Sequence, residues 1–316
     1  MTQAISNTER ILGGLWGAII GDALGVPVEF TSREERRRDL VTDMRGYGAH
    51  HQPPGTWSDD SSLLLCTVEA FCEEAYRPER LAELFLAWQE HGYWTPHGTV
   101  FDIGIATSTA LSHIRYGSAV EDAGGDGERD NGNGSLMRIL PVALRYADAS
   151  VEEMLFMAHR VSAITHRHPR SQMACGLYCC MARGLLGGLA PLDAYQFMNE
   201  HGHQYYNMAP FHREMPHFAR ILSGTIGDVA ESEIASSGYV VHTLEASLWC
   251  LLTSGSFEET VLTAVNLGDD TDTTGCVAGG LAGLYRGVSA IPEPWVDMVA
   301  RKHDIDTLMQ VFVTQL

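Results

Sequence analysis

Basic residues are scarce in this sequence: 21 Lys plus Arg stand against 40 Asp plus Glu, a formal net charge of −19 over 316 residues. A field of that sign repels polyanions and anionic bilayers, which excludes nucleic acid as the main partner and a membrane surface as a platform. A local anion site remains open, because backbone N–H groups at helix starts hold phosphate without net positive charge. The seven cysteines are odd in number, contain no C-x-x-C pair and fall mostly in apolar runs. They read as reduced core thiols, hence a cytosol-like, cytoplasmic compartment. No uninterrupted apolar stretch reaches the length of a bilayer span. The run Ile11–Ile20 follows Glu9 and Arg10, lacks a basic leader and a cleavage site, and is broken beyond by Asp22. It reads as a buried helix rather than a signal segment. A Pro/Ser-rich linker, an internal repeat and a set of alternating strand segments are also missing, so one all-α domain spanning residues 1–316 is expected.

What the sequence does contain is helical periodicity. Apolar residues make up 45% and charged residues 19%, a balance that excludes global disorder. Between Ser58 and Ala75, Leu64, Val68, Phe71 and Ala75 recur at helical spacing with Glu69, Glu73 and Glu74 among the polar positions. Similar patterns predict helices over 81–89, 101–114, 151–161, 173–186, 243–252 and 257–265. Glycines cluster inside two helical patterns, at 13–17 and 275–283. Each costs about 1 kcal/mol of helix propensity relative to Ala, and close helix–helix contact is the expected compensation. The polar stretch 117–135 is too long for a silent connection and is a candidate functional loop. The histidine-rich stretch 200–237 reads as an insertion or lid.

Two acidic clusters carry the chemistry, Gly55-Thr56-Trp57-Ser58-Asp59-Asp60-Ser61-Ser62 and Asn266-Leu267-Gly268-Asp269-Asp270-Thr271-Asp272-Thr273-Thr274. Each opens an apolar-periodic helix, where one Ser or Asp suffices for capping. Adjacent carboxylates occur twice, with no Lys or Arg near in sequence, and their repulsion calls for a cation. Carboxylate and hydroxyl oxygens without Cys or His at matching spacing form a hard-cation set suited to Mg²⁺ or Mn²⁺ rather than Zn²⁺. Ser58, Asp59, Asp60, Asp270, Asp272 and Thr273 are the candidate ligands, too few to fill two octahedra and so leaving positions for water and substrate. A third element, Asn131-Gly132-Asn133-Gly134-Ser135-Leu136-Met137-Arg138, is a Gly/Asn turn leading into an apolar helix, and its consecutive N–H groups can form a phosphate nest as readily as a plain turn. In Gly21-Asp22-Ala23-Leu24-Gly25-Val26-Pro27-Val28-Glu29-Phe30 a helix should end near Pro27 and project Glu29, either onto the surface or toward a cleft. Thr165-His166-Arg167-His168-Pro169 places a hydroxyl and imidazoles near a helix end.

These five motifs, in this order and at these distances, resemble the ADP-ribosylglycohydrolase family over roughly residues 10–287. The resemblance implies a single compact orthogonal helical bundle with two Mg²⁺ (or Mn²⁺) ions in a cleft. It implies hydrolysis of the bond between C1″ of ADP-ribose and a modified side chain of a protein. By motif, Ser58, Asp59, Asp60, Asp270, Asp272 and Thr273 become metal ligands, with Asp272 shared. Glu29 becomes the acid on a mobile flap, Gly132, Asn133, Gly134 and Ser135 the diphosphate loop, and His166 a substrate contact. Asp60 and Glu29 are the two candidates for handling the proton. Arginine is the favoured acceptor over serine, on the net charge and the additional Asp269. The alternatives are a crystallin-like structural protein and a module that binds ADP-ribose or an ADP-ribosyltransferase without turnover.

Overall fold

The computed structural model describes residues 5–316, and among them fourteen α-helices and no sheet. They are α1 (Asn7–Gly25), α2 (Arg33–Arg38), α3 (Asp59–Ala70), α4 (Pro78–His91), α5 (Ile105–Arg115), α6 (Leu140–Arg145) and α7 (Val151–Ala163). There follow α8 (Pro169–Leu186), α9 (Pro191–Tyr206), α10 (Val240–Thr253), α11 (Phe257–Asn266), α12 (Thr271–Arg286), α13 (Glu293–Met298) and α14 (Lys302–Thr314).

The centre of the bundle is the pair α1 and α12. A capping box between Ser6 and Glu9 starts α1, and nearly every residue from Ile11 to Gly25 is buried, as expected of a helix apolar on all faces. By length and composition α1 could cross a membrane, yet it is almost wholly enclosed by the other helices. Its glycines explain how. A Cβ added at Gly13, Gly17 or Gly21 would overlap the backbone at Gly283, Gly279 or Gly275 respectively, so the two helices run antiparallel in direct backbone contact. The same approach continues to Gly25, which abuts the backbone of Asp272, and the Thr271 hydroxyl donates to the Gly25 carbonyl at 2.8 Å. The glycine-rich interface thus delivers the start of α12 to the end of α1.

Three local expectations differ from the structure. The helix predicted across 58–75 ends at Ala70, with Phe71 as its C-cap, and is buried on nearly all sides rather than amphipathic. The pattern starting at Phe101 becomes helical only at Ile105, because Asp102 takes a left-handed conformation (φ 55°). The turn at 131–135 does not run straight into a helix: residues 136–139 form further turns before the six-residue α6. Within 200–237, residues 200–206 complete α9, and the rest is a chain of short 3-10 turns that buries Phe218, Ile221, Ile226 and Ile234.

Candidate active site

The floor of the cleft is built where α1 ends and α3 and α12 begin. Asp22, fully buried near the end of α1, accepts hydrogen bonds from the Ser58 N–H (3.0 Å), the Ser61 N–H (3.0 Å) and the Ser61 hydroxyl. It therefore caps α3 from another helix, beside Ser58, whose own hydroxyl accepts from the Asp60 N–H at 3.2 Å. Freed from capping, the Asp59 and Asp60 side chains turn into the cleft. Across it, the Thr273 hydroxyl donates to Asp60 at 3.4 Å, joining positions 213 residues apart. Asp270 stands at the N-cap of α12 but makes no capping hydrogen bond there. Capping accounts for α3 and not for α12.

The acids are too close and too dry to be at ease. Carboxylate oxygens of Glu29, Asp270 and Asp272 lie within 4.8 Å of one another. One oxygen each of Asp60, Asp270 and Asp272 is buried without a hydrogen-bond partner, and no Lys or Arg forms a salt bridge to the floor carboxylates among the described residues. Burial, reinforced by mutual repulsion, pushes the Asp59, Asp60 and Asp272 carboxyls well above the usual range. Burial and the charges of Asp102 and Asp270 push Glu29 up to about 10, and burial takes Asp22 to about 6 despite its three donors. Unpartnered buried carboxylate oxygens facing one another form a donor set for a hard divalent cation.

The opposite wall offers donors. Residues 131–133 pair with 238–240, through Val240 N–H to Asn131 O (3.0 Å) and Asn133 N–H to Gly238 O (3.1 Å). The Asn133 amide then donates to Asp270 at 2.9 Å, fastening the loop to the acidic floor. Gly134 is pinched between Thr107 and the His166 ring, with no room for a side chain. The backbone N–H groups of Gly134 and Ser135 have no acceptor among the described residues. Arg129 also lines this cleft of about 300 Å³, and Phe30 and Ile105, both largely exposed, line its mouth.

Of the residues singled out in the sequence, Glu29, Asp59, Asp60, Gly132, Asn133, Gly134, His166, Asp270 and Thr273 line one cleft. Ser58, Ser135 and Asp272 are buried behind that lining. The Ser135 side chain faces the core, where its hydroxyl accepts from Ser162 at 2.9 Å, so only its backbone can serve a ligand. Asp269 is exposed and is not part of the cleft lining, which removes the electrostatic argument built on it. Its backbone instead exchanges two 2.7 Å hydrogen bonds with Phe30 and Thr31, tying the segment that carries Glu29 to the α12 loop. Sequence reasoning missed Asp22, Asp102 and His50. The last two reach within 4.8 Å of a Glu29 oxygen and of each other. Asp22 left a trace, as the one acid inside the apolar body of α1; Asp102 and His50 stand in no motif that marks them.

A sequence profile of the ADP-ribosylglycohydrolase family matches residues 3–316. The chain belongs to the ADP-ribosylglycohydrolase family. It is 33% identical to the ADP-ribosylarginine hydrolase Tri1 of Pseudomonas putida (strain GB-1), over 96% of this chain and 77% of that protein. It is 29% identical to the ADP-ribosyl-(dinitrogen reductase) glycohydrolase of Rhodospirillum rubrum, over 96% of this chain and 94% of that one. A solved structure described as an ADP-ribosylglycohydrolase-related protein complex superposes with a TM-score of 0.81 at 29% identity, covering 98% of this chain and 99% of that one. As an ADP-ribosylglycohydrolase the protein has a use for its strained floor: a metal requirement of the family fits the unpartnered oxygens of Asp60, Asp270 and Asp272.

Proposed function

We propose that this protein hydrolyses the glycosidic bond between ADP-ribose and a modified arginine side chain, with two Mg²⁺ or Mn²⁺ ions as cofactors. The observation that carries the reading is the pairing of walls: carboxylates with buried, unpartnered oxygens face a Gly134–Ser135 turn with free N–H groups. The first suits cations and the second suits a diphosphate. Ser58, Asp59, Asp60, Asp270, Asp272 and Thr273 would hold the ions. When bound, they lower the pKa of a water and offset charge developing near C1″. The chain's own residues do the rest. The turn binds the diphosphate, His166 donates to the ligand, and Asn133 keeps loop and floor in register. Asp60 and Glu29 handle the protons, one taken from the attacking water and one returned to the departing guanidine nitrogen, giving ADP-ribose and free arginine.

Arginine as the acceptor is supported by the names of the relatives and by the acidity of the cleft, where Glu29 and Asp102 both carry carboxyls suited to a guanidinium. Seven free cysteines, six of them buried, are compatible with a reducing, cytoplasmic compartment. The test is incubation with ADP-ribosyl-arginine and ADP-ribosyl-serine peptides, with Mg²⁺ and with chelator, scoring free ADP-ribose. Release from the arginine peptide only when Mg²⁺ is present supports the reading. Faster release from serine would replace the acceptor, and no release from either peptide would return the protein to a binding role.

A further inference from the structure

Arg138 is fully buried, forms no ion pair among the described residues, and leaves its Nε and Nη1 without acceptors. A charge so placed is costly, and the Phe85 ring 4.7 Å beneath the guanidinium offsets only part of that cost. Its hydrogen bonds are two, to the Val161 carbonyl at 3.2 Å and to the Thr165 hydroxyl at 2.7 Å. The Thr165 hydroxyl in turn lies 2.8 Å from Nδ1 of His166.

We propose that Arg138 is a positioning residue for the ADP-ribose site: acting through Thr165, it holds His166 as a neutral ring protonated on Nε2, so that the cleft wall presents a fixed donor. The inference rests on the functional reading only in placing ADP-ribose against that wall. The proton count carries it. A guanidinium can only donate, so the Thr165 oxygen accepts from Arg138 and its single proton is left for His166 Nδ1. Nδ1 then acts as acceptor, and the proton of the neutral ring resides on Nε2. The reverse arrangement would set two N–H donors on one hydroxyl oxygen and leave the Thr165 proton without an acceptor among the described residues. The main chain that carries the ring is held from behind, since the His166 backbone N–H donates to the Ser162 carbonyl at 2.8 Å. Nε2 faces the turn: a Cβ built at Gly132 or Gly134 would lie 3.5 or 3.4 Å from it. This places the Nε2 donor beside the free N–H groups of that turn, both suited to phosphate or ribose oxygens.

The experiment uses the full chain labelled with ¹⁵N-histidine, with the His166 resonances assigned by their loss in His166→Gln. Nitrogen shifts distinguish a protonated from an unprotonated ring nitrogen. In the parent protein Nδ1 should be unprotonated and Nε2 protonated from pH 5 to pH 8. Thr165→Val removes the relay and keeps the shape, so it should mix the tautomers and weaken ADP-ribose binding by about 5- to 10-fold. Arg138→Met should also mix the tautomers. Thr165→Ser should restore both tautomer and affinity, which separates the relay from loss of fold. A parent ring protonated on Nδ1, or a Thr165→Val protein that keeps the Nε2 tautomer and binds ADP-ribose within twofold of the parent, would overturn the proposal. Failure of the parent to bind ADP-ribose would sink the functional reading instead, and the tautomer in the free protein would still decide the relay.

Discussion

The two walls of the cleft solve opposite problems. On the floor, burial raises the carboxyls of Asp22, Glu29, Asp59, Asp60, Asp270 and Asp272, the charges of neighbouring acids add to the rise in all of these but Asp22, and three of their oxygens have no partner. On the loop side the groups are donors: burial and the nearby Arg138 hold the His166 imidazole down to about 3, the Gly134 and Ser135 N–H groups are free, and Arg129 also lines the cleft. The floor leaves carboxylate oxygens without partners, which suits the proposed cations, whereas the loop wall offers free backbone N–H groups, which suit the proposed diphosphate. Such an arrangement trades stability of the cation-free fold for readiness to bind, as functional sites do.

The largest test of this contrast removes one charge at two places on the floor. Asp272→Ala should abolish turnover and divalent-cation binding by calorimetry, while the helical circular dichroism and the melting temperature in chelator hold or rise, because one repelling charge is gone. Asp22→Ala deletes a carboxylate that is satisfied by three donors, and should lower stability by about 1–3 kcal/mol through the uncapped α3 start. If both variants lost stability alike, the floor would be a structural network rather than an unfilled site.

Next in size is the loop wall. Gly134→Pro removes an N–H and distorts the turn between Thr107 and His166, and should weaken ADP-ribose binding by about 100-fold or more. Ser135→Ala, whose side chain faces the core, should stay within a few-fold of the parent. Equal tolerance of both would show that the ligand is not held by backbone. Glu29→Gln should cut turnover about 100-fold while ADP-ribose still binds. Near-normal turnover there would pass the proton role to Asp60.

The smallest effect is thermal. Asp22 and Glu29 titrate in the unfolded chain near 3.8 and 4.5, and in the fold near 6 and 10. Raised folded values mean that their contribution is present below pH 4 and is lost as pH climbs through those values. His159 and His166 run the other way, from 6.5 to about 4 and about 3, losing stability only as the medium becomes more acidic than pH 6.5. Above pH 6.5 the two histidines no longer contribute and the raised Glu29 still titrates, so the melting temperature in chelator should fall between pH 7 and pH 9, with the buried thiols adding to the fall near pH 9. Added Mg²⁺ or Mn²⁺ should reverse the fall, and stabilise more at pH 9 than at pH 6, because the cation competes with protons. A melting temperature that stayed flat in chelator would mean that the floor is not strained.

Period, composition and motif chemistry were enough to read the helices, the two acidic clusters, the hard-cation donor set and the Gly/Asn turn. Each is a local property: side-chain type, spacing, and the donors that a helix start leaves open. The glycine stripes were legible as close contacts but not as to which helix they meet. Only the antiparallel approach of α1 and α12 brings Gly25 onto Asp272, and so sets the two clusters across one cleft. Distance in three dimensions likewise recruits Asp102 and His50 to Glu29, turns the Ser135 hydroxyl inward, and leaves Asp269 outside with a backbone role. Asp22 is the plainest case. In sequence it is one acid in an apolar helix, and its work as the cap of α3 exists only because packing places two serines 36 and 39 residues away within reach of one carboxylate. Sequence determines which groups can bind a cation or an anion, since that is side-chain and backbone chemistry. Tertiary structure decides which of them share a cavity without partners, since satisfaction of a buried polar atom depends on every helix that packs around it.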